Sequence, residues 1–434
     1  MTARYLAVLA LQRMENGGYS NLVLDAELKK HPMPPAEQAF ATALFYSVLE
    51  HKNTLDYILN QFLKKPVARL DAPVQAILRS GLAQLRYLRT PPSAAVNEAV
   101  KLTRAFGKSS AAGLVNAVLR RAGSYDLSGA VFESAAQRLC VLASVSPAVA
   151  AHFLRWYPDR AEAILTAPAA AGVTAIRVNT LRTTPAALAQ RLLAEGAKGA
   201  RTCEIPGCLL VNFAASPAAL PAFREGLYHV EGRTSQLAAL ALEARPGDTV
   251  LDLCAAPGGK SLTIAQQMQD TGRLTSCDVS PNRVSLIEKT LAHGGITCGR
   301  ALCNDASRYN PALAGADRVL ADVPCSGLGI LRKKPDIRYK DLAQLPELVK
   351  LQRQILENAA KCLKTGGRLV YSTCTLNPEE NEQQIARFLA EHPEFTVRPQ
   401  ENLPAPLENG PLGVVSLPDE TGLDGFYICA MEKQ

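Results

Sequence analysis

The sequence contains no CxxC pair, although it has eleven cysteines, an odd number spread from Cys140 to Cys429. That excludes a disulfide framework and a cysteine-rich zinc site, and it points to thiols kept in a reducing, cytoplasmic compartment. The nearest approach to a metal cluster, His293 with Cys298 and Cys303, has the wrong spacing, so no metal is expected. There is no repeat of solenoid period, and 29 glycines and 28 prolines are ordinary for a globular chain. The 19-residue uncharged stretch Ile205–Phe223 is broken by Pro206, Pro217 and Pro221. The apolar stretch Tyr5–Leu11 is too short, and too soon followed by Arg13 and Glu15, for a signal peptide. A soluble cytoplasmic protein without a membrane partner is expected.

What is present is enough apolar material, 47% of 434 residues, to fill several cores. At roughly 150 residues each this suggests about three domains. The net charge of +7 is unevenly placed: residues 1–125 hold 16 Lys/Arg against 8 Asp/Glu, and the remainder is close to neutral. A basic third on a neutral body suits a polyanionic partner; a merely solvated face is the alternative. Apolar residues recur at three- and four-residue steps from Thr2 to about Arg121, with Pro66, Pro73 and Pro91-Pro92 as boundaries, which predicts an all-α bundle over 1–140. Its last helices carry Lys101, Arg104, Lys108, Arg120 and Arg121. Residues 141–234 read as a small α+β segment with helices at Pro147–Trp156, Pro158–Leu165 and Pro185–Ala194 and a strand at Thr174–Val178. From 235 to 434 strands and helices alternate, predicting a parallel, doubly wound sheet with strands at Thr249–Leu253, Arg273–Cys277, Arg318–Ala321 and Arg368–Ser372.

The strongest motif is Val250-Leu-Asp-Leu-Cys-Ala-Ala-Pro-Gly-Gly-Lys-Ser261, an apolar strand entering a Gly-Gly turn and a helix over Leu262–Met268. Glycines let a ligand approach the turn, and the helix start offers free N–H groups. A second strand ends at Cys277-Asp278, where a carboxylate can bind ribose hydroxyls. The Walker pattern fails because Cys254 stands where its first glycine belongs, and the G-x-G-x-x-G spacing of a NAD site is absent. The remaining reading is S-adenosylmethionine, whose sulfonium wants acidic and apolar neighbours; Asp252, Asp278, Asp305 and Asp322, at or just past strand ends, supply the acidity.

Two further motifs close apolar strands: Asp322-Val-Pro-Cys-Ser326 and Ser372-Thr-Cys374. In an open parallel sheet, ligands bind beyond the carboxyl ends of strands, so both thiols can face one pocket. A methyl donor beside thiols suits carbon methylation of cytosine. A thiolate adding to C6 makes C5 nucleophilic, a base must then remove the C5 proton, and a carboxyl such as Asp322 can stabilise charge developing near N3. Spacing leaves open which cysteine attacks. Competing readings are a binding module that lost turnover and an enzyme methylating protein or an exocyclic amine; the second would survive loss of both thiols.

LDLCAAPGGK, DVPCSG, KKPDIRY, STC and PEENEQQI together resemble the RNA cytosine-C5 methyltransferases of the NOL1/NOP2/Sun family, over about residues 235–430. EQAFATALFYSVL, LRSGLAQLRYL, SAAVNEAV and LVNAVLRR resemble a NusB-type RNA-binding domain, and IRVNTLRTT resembles the family's small linking domain. The resemblance implies an α/β, doubly wound Rossmann-like methyltransferase domain preceded by an all-α NusB-like bundle and a small α+β domain. It implies S-adenosyl-L-methionine as cofactor and a cytosine of 16S small-subunit ribosomal RNA as substrate; that base must be unpaired or flipped to reach both thiol and methyl donor, and a monomer is expected. It assigns Cys374 as nucleophile, Cys325 to breakdown of the covalent adduct, and Cys254, Ala255, Ala256, Pro257, Gly258, Gly259, Lys260, Asp278, Asp305 and Asp322 to the cofactor. Val230–Gln236 departs from the family, which usually shows Gln-Asp before Ser-Gln. A helix beginning near Pro378 is expected to favour ionisation of Cys374.

Overall fold

A computed structural model describes the chain except residues 16, 169–171, 215, 401–402, 405 and 419–421. It divides into two compact units, Met1–Thr166 with Leu331–Leu342, and Ala167–Ile330 with Ala343–Gln434.

The first unit is helical, running through Ala3–Met14, Ser20–Lys30, Pro35–Glu50, Lys52–Asn60, Ala72–Arg86, Pro92–Ala105 and Ala112–Ala122 to Ala135–Leu142, Pro147–Trp156 and Ala161–Thr166. Local chemistry sets several starts. Thr2, Ser134 and Ser146 accept from the backbone N–H three residues on, and Pro35, Pro92 and Pro147 occupy the first turn, where no N–H is needed. The anticipated apolar faces meet in one core around Leu6, Leu44, Phe45, Leu55, Ile58, Leu59, Ile77 and Leu119. At Gly81 a Cβ would lie 2.5 Å from Leu119 Cδ1, so glycine permits that helix–helix approach.

The segment Leu331–Leu342 falls within the C-terminal region by sequence but belongs to this helical unit. Its Pro335–Tyr339 turn is tied to the helices through buried polar groups. Tyr339 Oη donates to Leu49 O at 2.6 Å and accepts from Lys52 N at 3.2 Å, and it lies 2.9 Å from Ser144 Oγ. Arg338 Nη1 donates to Ala143 O at 2.7 Å, Ser146 N donates to Arg338 O at 2.7 Å, and Ser20 Oγ donates to Asp336 Oδ2 at 2.7 Å.

The second unit holds two sheets. The smaller is antiparallel, built from β1 (Thr174–Val178), β2 (Gly199–Thr202), β3 (Cys208–Asn212) and β4 (Tyr228–Val230) in the order β2-β3-β1-β4, with the helix Pro185–Ala194 packed on it. The Pro-interrupted Ile205–Phe223 stretch supplies β3. The larger sheet contains β5 (Thr249–Asp252), β6 (Arg273–Asp278), β7 (Gly299–Cys303), β8 (Ala316–Asp322), β9 (Leu363–Thr373), β10 (Phe395–Arg398), β11 (Glu408–Gly410), β12 (Gly413–Ser416) and β13 (Phe426–Lys433). Its order is β11-β12-β13-β9-β8-β5-β6-β7, with β10 beside β13.

The parallel, doubly wound sheet expected over 235–434 is present, and antiparallel strands that were not anticipated extend it. Strands β5 to β9 are mutually parallel where they pair, but β13 runs antiparallel to β9, and β10, β11 and β12 also pair antiparallel. Parallel neighbours need a crossover helix, such as Leu345–Cys362 between β8 and β9, whereas antiparallel strands can be joined by turns. After the helix Glu382–Glu391 the described residues form no further helix, and the remaining strands meander.

Candidate active site

The carboxyl edge of the parallel strands collects the motif residues. Strand β5 ends at Asp252, the turn follows, and the helix Gly259–Gln267 begins. Gly258, the residue before that helix, has φ +108°, and a Cβ there would stand 3.1 Å from Thr290 Cβ. The positive φ therefore favours glycine, and a side chain would also press on Thr290. The turn is pinned by Ala255 N donating to Cys277 O at 2.8 Å and Thr290 Oγ1 donating to Pro257 O at 2.7 Å.

Asp252 is wholly buried; its Oδ2 accepts from Ser261 Oγ at 2.7 Å, which in turn accepts from Ser276 Oγ at 2.8 Å. Burial, reinforced by the neighbouring Asp322, pushes the Asp252 carboxyl up to about 7. Lys260, in the first helical turn, lies 2.7 Å from Asp322 Oδ2 and over the Phe426 ring. Burial works against its charge, but Asp322 and Glu231 prevail and raise its affinity for the proton. Asp322 also accepts from Ser372 Oγ at 2.8 Å.

Glu231 was not anticipated as a site residue. It is buried beside this cluster, accepting at Oε2 from Thr263 Oγ1 at 2.8 Å, with His229 Nε2 3.1 Å away. Burial opposes its ionisation, yet His229, Lys260 and Thr263 together hold it below the usual carboxylate range. Its only sequence signal was the departure at Val230–Gln236. Two buried oxygens of the cluster, Asp252 Oδ1 and Glu231 Oε1, have no hydrogen-bond partner.

The other anticipated cofactor residues are more dispersed. Asp278 ends β6 and is buried, with Oδ1 accepting from Ser280 N at 3.0 Å and Oδ2 3.1 Å from Arg283 Nη1. Asp305 lies beyond β7 in its own turn, accepting from Ser307 N at 3.0 Å and Ser307 Oγ at 2.6 Å, with a side chain 40% exposed. The Cys254 thiol is raised by burial, with Asp252, Asp322 and Asp278 adding to the effect.

The two motif cysteines meet. Strands β8 and β9 run side by side with Asp322 opposite Ser372, so the chain leaves both at the same edge. Cys325 Sγ and Cys374 Sγ are 3.2 Å apart. The hydrogen bond with Cys374 and burial together raise the Cys325 thiol well above its ordinary range. Gly329 N donates to Cys374 O at 3.0 Å. The expected helix near Pro378 is displaced: turns occupy 378–381 and the helix starts at Glu382, eight positions beyond Cys374. Asn377 and Asn381 spend their side chains on the intervening turn, so a helix N-terminus does not adjoin this sulfur.

Parallel central strands with a glycine turn after the first of them, acidic strand ends and a cluster with two buried, unpartnered carboxylate oxygens define an S-adenosylmethionine-dependent methyltransferase. The orphaned acceptors and the surplus of acid over base suit a cationic cofactor and give no cradle for phosphates. The 16S rRNA methyltransferase RsmB/F pattern matches residues 239–432, the NusB family pattern 1–124, and an RsmF/B-like ferredoxin-like domain 150–216. The probable ribosomal RNA small subunit methyltransferase B of Synechocystis is 33% identical, with both chains covered in full. The Bacillus subtilis protein described in the same words is 34% identical over all of this chain and 99% of its own. Among solved structures, PH0851 superposes with a TM-score of 0.82 at 25% identity, covering 100% of this chain and 99% of that one. A methyltransferase homolog from Pyrococcus horikoshii gives 0.60 at 26% identity, over 70% of this chain and all of that one. The chain belongs to the ribosomal RNA small subunit methyltransferase B (RsmB) family, enzymes that methylate small-subunit ribosomal RNA. Among the described residues no single helix is long and apolar enough to cross a membrane.

Proposed function

We propose that this methyltransferase acts on carbon 5 of a specific cytosine in 16S ribosomal RNA, through a transient bond between Cys374 and ring carbon 6. The observation that carries the reading is the 3.2 Å sulfur pair just past the ends of β8, which closes on Asp322, and β9. Methylation of an exocyclic amine needs no thiol, and carbon 5 is too weak a nucleophile without one.

Cys374 Sγ, as the thiolate, adds to C6 and makes C5 electron-rich. S-adenosylmethionine supplies the methyl group as an electrophile. Asp322, held by Lys260 and Ser372, faces the edge of the ring where charge develops at N3 and the amine. Loss of the C5 proton to a base then restores the double bond and expels Cys374 Sγ. Cys325, whose thiol is pushed up by Cys374 and by burial, assists that last step. The target base must be unpaired or flipped to reach both the sulfur and the methyl donor. Asp278 and the turn from Cys254 to Lys260 hold the cofactor, with Asp305 at the margin.

Denaturing gels with substrate RNA test the order of the thiols. Cys325→Ala is expected to accumulate a covalent protein–RNA adduct, and Cys374→Ala to form none; the reverse pattern rejects the assignment.

The basic helical region serves RNA binding in this reading, with Lys101, Arg104, Arg120 and Arg121 exposed on it. Removing residues 1–140 is a poor test, because it strips Pro335–Tyr339 of its partners as well. The triple change Arg104→Ala, Arg120→Ala and Arg121→Ala leaves that anchorage intact. It is expected to weaken RNA binding about tenfold or more at low salt and to flatten its salt dependence, with cofactor affinity unchanged. Unchanged RNA affinity and salt slope remove the region from RNA binding.

A further inference from the structure

We propose that Glu380 is the positioning residue of the thiol pair: it ties the segments behind Cys325 and Cys374 into one frame, and its negative charge decides which sulfur ionises. The proposal rests on the two-thiol reading above.

Glu380 is fully buried, and among the described residues its carboxylate accepts from donors in the two cysteine segments and in the helix behind them. Ser326 N donates to Oε2 at 2.9 Å, and Ser326 Oγ donates to Oε1. Asn377 Nδ2 donates to Oε1 at 3.1 Å, and Gln352 Nε2 donates to Oε2 at 2.8 Å. Gln352 Nε2 also reaches Pro324 O at 3.0 Å. Both residues flanking Cys325 are thereby fixed to one carboxylate system. On the other side, Ser326 Oγ lies 2.6 Å from Thr375 Oγ1, the residue after Cys374. The carboxylate's own backbone is held where Tyr371 Oη donates to Glu380 O at 2.7 Å. A buried carboxylate carrying this many bonds makes a narrow set of loop geometries, since releasing any donor leaves it unpaired away from water.

The charge has a second consequence. Glu380 is among the groups that raise the Cys325 thiol, after the Cys374 contact and burial. A negative charge bonded to the backbone N–H next to Cys325 disfavours a second negative charge there, which leaves ionisation to Cys374. Sequence spacing had left this order open.

The test uses the full-length protein and iodoacetamide, which alkylates thiolates, with the modified cysteine identified by mass spectrometry across pH. Wild type is expected to react at Cys374 well before Cys325. Glu380→Gln, neutral and of the same shape, should shrink that preference about tenfold and shift the pH at which Cys325 begins to react downward. RNA methylation by the same variant should fall about 100-fold in kcat, with S-adenosylmethionine affinity unchanged. Glu380→Asp should recover part of both. A merely structural glutamate would lower yield or thermal stability without moving the preference between thiols. A Glu380→Gln protein that binds cofactor normally and keeps the wild-type preference overturns the proposal. If Glu380→Gln does not fold, Ser326→Ala decides for the frame: it removes one donor and the link to Thr375, kcat should fall at least about tenfold with cofactor affinity unchanged, and an unchanged kcat overturns the idea. Should wild type methylate RNA without any adduct at Cys374, the reading in the previous subsection fails, while the alkylation ratio still reports on Glu380 alone.

Discussion

The large sheet has two halves with different duties. In the parallel half, β5 to β9, every strand leaves at the same edge, and Asp252, Asp278, Asp322 and both paired sulfurs gather there. In the antiparallel half, β10 to β13, successive strands leave at alternate edges, and their side chains fill the core: Tyr427, Ile428, Cys429, Ala430 and Met431 are all buried. Its reach toward the site is the ring of Phe426 under Lys260. Strand direction thus separates the half that can do chemistry from the half that holds it in place.

The sharpest way to break this division is to remove Cys374. Cys374→Ala should lower methyl transfer by about 10⁴-fold or more in a radiolabelled-donor assay, with the fold intact by circular dichroism. Residual turnover within tenfold of wild type would move the chemistry elsewhere. Next comes Lys260→Met, which leaves Asp322, Glu231 and Asp252 without their common cation. A loss of about 10²-fold in kcat/KM is expected, and steady-state kinetics at several cofactor concentrations will show whether it falls on cofactor binding or on turnover.

Asp252 sharpens the comparison through pH. Its carboxyl is harder to ionise in the folded chain, at about 7, than in an unfolded chain, where it titrates near its ordinary value. The folded state therefore holds the proton over the window between those values. The stability it contributes is complete below about 4 and is lost as pH rises through about 7, an effect of the order of a few kcal/mol. Thermal melts of unliganded wild type and Asp252→Asn at pH 5 and pH 8 should show the variant gaining on wild type at the higher pH. A wild type that gains instead reverses the sign. The smallest effect belongs to the antiparallel half: Ile428→Val should cost about 1 kcal/mol of stability and leave kcat unchanged. A tenfold fall in kcat there would give that half a catalytic share.

The same division explains what could be read from the sequence. The parallel half announces itself through short punctuated motifs, each an apolar run ending in a turn of fixed chemistry, and Asp252, Lys260, Asp322, Cys325 and Cys374 were all legible that way. Helix starts marked by proline, at Pro92, Pro147 and Pro185, were equally plain. Antiparallel strands such as Glu408–Gly410 and Gly413–Ser416 are short and carry no ligand-binding turn, so nothing local separates them from loop. Glu231 and Glu380 were missed as individual residues for another reason. A carboxylate acquires its meaning from donors 28 to 54 positions away, such as Gln352 and Ser326 for Glu380, and periodicity carries no trace of them. The association of Pro335–Tyr339 with the helical unit was hidden for the same cause.

The proposed reaction turns on a carbon–sulfur bond at Cys374. RNA carrying 5-fluorocytidine, whose fluorine at C5 blocks release, should be incubated with the wild-type protein and cofactor, and the linked peptide sequenced by mass spectrometry. A pyrimidine attached to the peptide containing Cys374 is the expected result; attachment at Cys325, or methylated product with no attached peptide at all, would contradict it.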